Sequence, residues 1–223
     1  MIKIKMNDQK EKVIIFDIDE TVLIGTYKYY RLTLSECCFV FSISLKDKIK
    51  EFNGWNDKDF DNYKNKPNYT TCKKKYFKAM FDDEKITDEQ LSVFEKLYIW
   101  KILRDKKCYR INVSQNCLET LKYLKKNGYK IIALSNSEPL VIKHLLKVNK
   151  IDEYFTEIIG YAKKPAICEE VKKYEVMLII GDSKCSDCGF AKSVGCDIIH
   201  YNEGLKLLDL VKKKFPETYL EKI

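Results

Sequence analysis

Four short apolar runs constrain this chain more than any other feature: Val13-Ile14-Ile15-Phe16, Ile131-Ile132-Ala133-Leu134, Val176-Met177-Leu178-Ile179-Ile180 and Asp197-Ile198-Ile199-His200. Each has the length of a strand and is rich in β-branched residues. They are continuous rather than alternating, the pattern of strands buried on both faces of a parallel sheet. Glu157-Ile158-Ile159-Gly160 is a fifth, weaker candidate. Helical patterns separate them. Gln115 to Asn127 spaces Leu118, Leu121 and Leu124 three apart and stops at Gly128. Ser137 starts another helix, with Pro139 in its first turn and Leu140, His144, Leu145 and Val148 on one stripe. Pro165 opens a short third helix, and Asp187 to Val194 reads as a fourth, ending at Gly195. Strands alternating with helices predict an α/β fold built on a doubly wound parallel sheet.

The alternation breaks once. From Leu23 to about Ile111 the chain is aromatic-rich and biased to helix, with a helix start at Thr87-Asp88-Glu89-Gln90 followed by Leu91, Phe94, Tyr98 and Leu103. We read residues 25–110 as a helical insert with its own small core. The remainder, 1–24 and 111–223, forms the main unit. The insert also holds most of the excess positive charge. The net charge is +8, and residues 25–110 carry 19 Lys and Arg against 13 Asp and Glu. That is either a lysine-rich solvated face or a basic lid over an anionic substrate, and charge alone identifies no site. Lys73-Lys74-Lys75 and Lys212-Lys213-Lys214 read as solvated runs.

Some classes are disfavoured. The apolar stretches, Cys37 to Leu45 among them, fall far short of the ~20 residues a membrane span needs. The charged N-terminus has no signal-peptide core. The expectation is a cytoplasmic protein with no membrane partner, and nine cysteines then read as free thiols. Cys185-Ser186-Asp187-Cys188 has redox or metal-ligand spacing but no second pair to complete a zinc site. No nucleic-acid-binding motif is present.

Chemistry is expected at the carboxyl ends of the strands, where an open α/β sheet forms its crevice. Asp17, Asp19 and Thr21 follow the first run, and Ser135 and Asn136 follow the second. Lys164 and Pro165 precede the third core helix, and Gly181, Asp182, Ser183 and Asp187 follow the Val176 run. A phosphate monoester is a dianion that bare carboxylates repel. Magnesium reverses this, because it takes oxygen ligands, including one or two carboxylates and substrate oxygens. Asp17 and Asp182 would supply carboxylates from neighbouring strands. Lys164 would add positive charge at the transferring group, and Ser135 with nearby amides would hold phosphate oxygens. Asp17 can attack phosphorus and form an aspartyl-phosphate, and Asp19 can protonate the leaving oxygen and then activate water.

These segments resemble the haloacid dehalogenase superfamily. Asp17-Ile18-Asp19-Glu20-Thr21-Val22 is similar to its first motif, D-x-D-x-T/V, and Leu134-Ser135-Asn136 to its second. Lys164-Pro165 is similar to the third, and Ile180-Gly181-Asp182-Ser183-Lys184-Cys185-Ser186-Asp187 to the fourth, G-D-x-x-x-x-D. The resemblance implies a Rossmann-like core, a phosphatase activity and Mg2+ as cofactor. It implies Asp17 as nucleophile and metal ligand, and Asp19 as acid/base and carbonyl ligand. It further implies Thr21, Ser135, Asn136 and Lys164 around the phosphate, Asp182 on the metal, and Asp187 supporting the metal site indirectly, from behind its ligands or through water. Members that dehalogenate lack the second Asp, so Asp19 points to phosphate chemistry. The position of the insert resembles a C1-type cap closing over a small phosphorylated substrate.

The match departs in places. Lys164 to Asp182 is short, Lys163 adjoins Lys164, and Asn112-Val113-Ser114-Gln115 lacks the Pro-Gly turn of many relatives. A phosphomutase shares every core residue, and a receiver-like signalling module shares the chemistry but neither the motif order nor the insert. Tyr27, Tyr29 and Tyr30 either face the substrate or pack between helices. No role is assigned to His144 or His200.

Overall fold

Five of the apolar runs are strands, and the reason is visible in where their side chains go. The computed structural model describes residues 10–40, 87–106, 108, 111–160 and 169–216. In chain order its elements are β1 (Glu11–Asp17), β2 (Leu23–Ile24), α1 (Thr26–Val40), α2 (Asp88–Arg104), β3 (Asn112–Val113), α3 (Gln115–Lys126) and β4 (Lys130–Leu134). There follow α4 (Pro139–Val148), β5 (Glu157–Ile159), α5 (Glu169–Lys172), β6 (Tyr174–Gly181), α6 (Ser186–Val194), β7 (Asp197–His200) and α7 (Leu207–Lys214). β1, β4, β5, β6 and β7 form one parallel sheet in the order β5-β4-β1-β6-β7.

Alternate residues of each strand leave on opposite faces. Ile14, Phe16, Ile131, Ala133, Leu178 and Ile180 join one cluster with Leu121 and Leu124 of α3, Leu145 and Leu146 of α4, and Val211 of α7. Val13, Ile15, Ile132, Leu134, Val176 and Ile179 join a second with Val171 of α5 and with Phe190 and Ala191 of α6. Both faces are covered, so the strands carry no polar stripe. The sheet is doubly wound, as the sequence predicts. Burying a side chain such as Phe16 or Ile14 contributes about 1.5–3 kcal/mol, and both are completely buried.

The helix ends follow their local signals. Ser114 caps α3 by accepting from the Cys117 amide, and Gly128 takes a left-handed turn at φ +75° just beyond it. Gly195 ends α6 at φ +77°. Two expectations need correction. The cap of α4 is Glu138, which accepts from the Val141 amide, and not Ser137. The buried stripe of α4 is Val141, Ile142, Leu145 and Leu146, while Leu140 is 58% exposed. Capping by Glu138 with Pro139 at the first helical position turns the helix so that Leu140 points outward.

The chain leaves the sheet through β2 and returns through β3, and these two short strands pair antiparallel, Leu23 with Val113 and Ile24 with Asn112. Between them lie α1 and α2, which pack together through Tyr29, Leu34, Cys37, Phe94, Tyr98 and Ile102. The Lys101 ammonium donates to Glu36 across that pair at 2.7 Å. Residues 41–86, most of the expected insert, lie outside the described residues, as do Lys164 and Pro165. Among the described residues no helix is long and apolar enough to cross a membrane.

Candidate active site

The register of the sheet brings the chemical residues together. Asp17, the last residue of β1, lies beside Leu134 of β4, so Ser135 follows at the next step on the neighbouring strand. On the other side Phe16 pairs with Ile180, and Gly181 and Asp182 continue from β6. Three adjacent strands therefore end at one carboxyl edge with Asp17, Ser135 and Asp182 in a row.

Asp187 completes the group from the first turn of α6. One carboxylate oxygen from each of Asp17, Asp182 and Asp187 lies within 4.8 Å of the others. Asp17 and Asp187 are buried, and Asp182 is half-buried. Asp187 is held down by the Ser183 amide, which donates to its Oδ2 at 3.0 Å. It also packs directly on Gly181, where an added Cβ would sit 2.2 Å from the same oxygen. The glycine of the fourth motif is there to let that carboxylate approach. Among the described residues this trio is the cluster of potential metal ligands, and Cys185 and Cys188 form none.

Thr21 is expected among the phosphate binders, and the structure places its hydroxyl between two carboxylates. It is fully buried. Its hydroxyl lies 3.1 Å from Asp17 Oδ2 and 3.2 Å from Asp182 Oδ1, with one proton to share between the two carboxylates. The Asp182 amide donates to Thr21 Oγ1 at 3.0 Å. With its proton shared and one of its two lone pairs engaged, Thr21 ties two strand ends together and fixes the two carboxylates relative to each other.

Asp19 sits in a different setting from Asp17. Its Oδ2 accepts from Ser135 Oγ at 2.7 Å and from Ser137 Oγ at 2.9 Å, and its Oδ1 accepts from the Tyr30 hydroxyl at 2.9 Å. Ser135 is fully buried, and its Oγ also accepts from the Ser137 amide. The bonds that close the turn after β1 run to the carbonyls of Ile18 and Leu23, which leaves the Asp19 carbonyl out of them. Asn136 is buried, and its Oδ1 has no hydrogen-bond partner among the described residues. Such an orphan is costly unless water or a ligand meets it. His200 Nε2 is a second unpartnered atom, and His144 contacts the Asp105 carbonyl at 2.9 Å.

The three tyrosines of α1 divide. Tyr29 turns away from the strand ends, donating to Asp105 at 3.0 Å and packing on Cys108. Tyr30 reaches Asp19. Burial, and then the negative charges of Asp182, Asp19, Asp17 and Asp187, push the Tyr27 phenol well above its ordinary value. Burial and the charge of Asp19 do the same to Tyr30. By contrast Cys117, under the catalytic loop with its thiol donating to the Thr21 carbonyl, is pushed up to about 12 by burial and is a packing residue.

Glu20, Tyr30 and Ser137 carry geometry that the motifs do not mark. Glu20 has a left-handed backbone (φ 60°), and its carboxylate accepts from the Gly25 amide, the Thr26 hydroxyl and the Tyr27 amide at the start of α1. Ser137 was legible only as a residue two positions past Ser135 on a strand-end loop. Tyr30 is one of three tyrosines that the sequence leaves undivided between substrate and packing, and only α1, a helix that carries Tyr27 and Tyr30 on one face, separates it from Tyr29.

A parallel α/β sheet with clustered carboxylates at its carboxyl edge, fed by a loop that carries two aspartates, defines a class of hydrolases. The chain belongs to the haloacid dehalogenase-like hydrolase family, whose model matches residues 11–195. It is 27% identical over 139 residues to a phosphoglycolate phosphatase of Mannheimia succiniciproducens, covering 56% of this chain and 61% of that one. The chain thus spans about three fifths of that relative's length. Its fold is similar to that of a protein from Haemophilus somnus predicted to be a phosphoglycolate phosphatase, with TM-score 0.64, 18% identity and coverage of 94% and 99% of the two chains. It is also similar to a magnesium-bound HAD-type hydrolase of Bacillus subtilis, with TM-score 0.65, 15% identity and coverage of 90% and 99%.

Proposed function

We propose that the protein is a magnesium-dependent phosphatase that cleaves a small phosphorylated metabolite through an aspartyl-phosphate on Asp17. The observation that carries this reading is the trio Asp17, Asp182 and Asp187, three carboxylates within 4.8 Å at the ends of neighbouring elements. Like charges so close repel one another, and an all-oxygen donor set of this kind fits a hard divalent cation. Bound there, magnesium supplies Lewis-acid neutralisation of the phosphate charge.

The chain's own residues then divide the work. Asp17 forms a bond to phosphorus while the ester P–O bond breaks, and its electron pair goes to the leaving oxygen. Asp19 gives that oxygen a proton. It then takes a proton from water, which attacks the aspartyl-phosphate and releases phosphate and Asp17. Thr21 holds Asp17 and Asp182 in register. Ser135 and Asn136 line the adjoining strand end, and Lys164, outside the described residues, is assigned to the phosphoryl oxygens on its motif alone. Residues 25–110 act as a C1-type cap. The pairing of β2 with β3 supports this by bringing the two ends of the segment together, as does the hydrogen bond from Tyr30 to Asp19.

The matched relative makes 2-phosphoglycolate the first metabolite to try. The decisive variant is Asp17→Asn. With Mg2+ and p-nitrophenyl phosphate it should lose at least about a thousandfold in kcat. Mass spectrometry of acid-quenched wild type should find a phosphoryl group on the peptide that holds Asp17. Undiminished hydrolysis by Asp17→Asn removes the mechanism.

A further inference from the structure

The Asp19 carboxylate is gripped from two different parts of the chain. Ser135 and Ser137, both on the loop that follows β4, donate to one oxygen, Oδ2. The other oxygen, Oδ1, has one donor among the described residues, the Tyr30 hydroxyl at 2.9 Å, and that donor belongs to α1. Two hydroxyls already crowd Oδ2. A carboxylate oxygen offers about two lone-pair sites, so Oδ1 is the oxygen with room for a proton.

We infer that Tyr30 is a positioning residue for Asp19: its hydroxyl fixes the carboxyl group so that Oδ1 faces the ester oxygen, which makes proton delivery depend on α1 being seated against the catalytic loop. The inference rests on the phosphatase reading and adds to it the element that orients the acid.

Three observations fit together. Tyr30 lies in the second turn of α1, so its hydroxyl is aimed by the helix rather than by a loop. The start of that helix is fastened to the same catalytic loop, because Glu20, next to Asp19, takes hydrogen bonds from Gly25, Thr26 and Tyr27. The contact is not generic aromatic packing, since Tyr29, one residue earlier, bonds to Asp105 and Cys108 and serves the interior of the helical pair. A carboxyl group with both oxygens bonded to fixed hydroxyls cannot rotate about its last bond. If the Tyr30 oxygen is removed, only the two serines on Oδ2 remain, and the group can turn about that anchor.

The step concerned is the first one. As the Asp17 oxygen bonds to phosphorus, the ester P–O bond breaks, its electron pair stays on the ester oxygen, and that oxygen takes the Asp19 proton. An alkyl ester needs this proton because an alkoxide is a poor leaving group. p-Nitrophenyl phosphate needs it little, because p-nitrophenolate leaves unaided. The contrast separates orientation of the acid from a merely structural hydrogen bond. A bond that only held α1 in place would matter equally for both esters.

The test is Tyr30→Phe, which deletes one oxygen and keeps the ring. kcat/KM is measured for an alkyl phosphate monoester that the wild type turns over and for p-nitrophenyl phosphate, since kcat/KM reports the steps through phosphoryl transfer to Asp17. Thermal unfolding is followed in parallel. The expected result is a loss on the alkyl ester at least about tenfold larger than on the nitrophenyl ester, within the range that general acid catalysis supplies, with the Mg2+ requirement unchanged. Equal losses on both esters, or none, in a wild type active on both overturn the role of Tyr30 and leave the phosphatase reading standing. A wild type that cleaves neither ester removes the phosphatase reading, and this role with it.

Discussion

Gly181 shows how tightly a single residue can bind sequence to site. Asp187 Oδ2 occupies the space where a side chain at 181 would begin, at 2.2 Å from an ideal Cβ. Gly181→Ala must therefore displace either the carboxylate or the end of β6. Because Ser183 holds the same oxygen, the loop 182–187 would move as a unit. The expected outcome is a weaker Mg2+ requirement constant by tenfold or more, the range typical of lost support around a metal, read as activity against Mg2+ concentration. Glu20 makes the opposite kind of case, a residue kept in a conformation that costs about 1–3 kcal/mol for a side chain with a Cβ. Its three hydrogen bonds to the start of α1 offset that cost. Glu20→Ala keeps the strain and loses the bonds, so it should lower unfolding stability by roughly 1–3 kcal/mol. Glu20→Gly loses the bonds and relieves the strain, so denaturant titration should find it more stable than Glu20→Ala. The reverse order would mean that the left-handed backbone at position 20 carries no such strain.

At the scale of elements, the five sheet strands were legible because burial on both faces writes itself as a continuous apolar run. Even the weakest, Glu157-Ile158-Ile159, is a strand. β2 and β3 left no such mark. Each has two residues, too few for any period, and they exist because the chain must leave and re-enter the sheet at one place. The order of the motifs located Asp17, Asp19, Asp182 and Asp187, but not how they are held. That Thr21 bridges two carboxylates follows from β1 and β6 being neighbours, a fact of register that no local pattern contains. The error on α4 has the same origin. Leu140 fits the helical period as well as Val141 does, and only the cap at Glu138 decides which of them faces the sheet. Close approach between elements was also invisible. Gly160 follows β5 beneath the loop that carries Ser137, and a Cβ there would meet the Ser137 carbonyl at 2.6 Å and Pro139 at 2.7 Å.

For the whole molecule, the site should couple folding stability to a bound cation. Three carboxylates within 4.8 Å of one another repel by about 3 kcal/mol per pair at an effective dielectric constant of 20. A cation among them offsets that repulsion. A cation that binds only the folded state stabilises it by about 2.7 kcal/mol at a hundred times its Kd. For a chain of this size that corresponds to roughly 5–10 °C in Tm. Mg2+ should raise Tm by that order, and EDTA should reverse the rise. Asp182→Asn distinguishes this from a general salt effect. It removes one of the three charges while keeping an oxygen near Thr21. Its Tm should then respond little to Mg2+, because one of the three charged ligands is gone. A variant that gains as much from Mg2+ as the wild type would show that the carboxylate trio does not bind the ion.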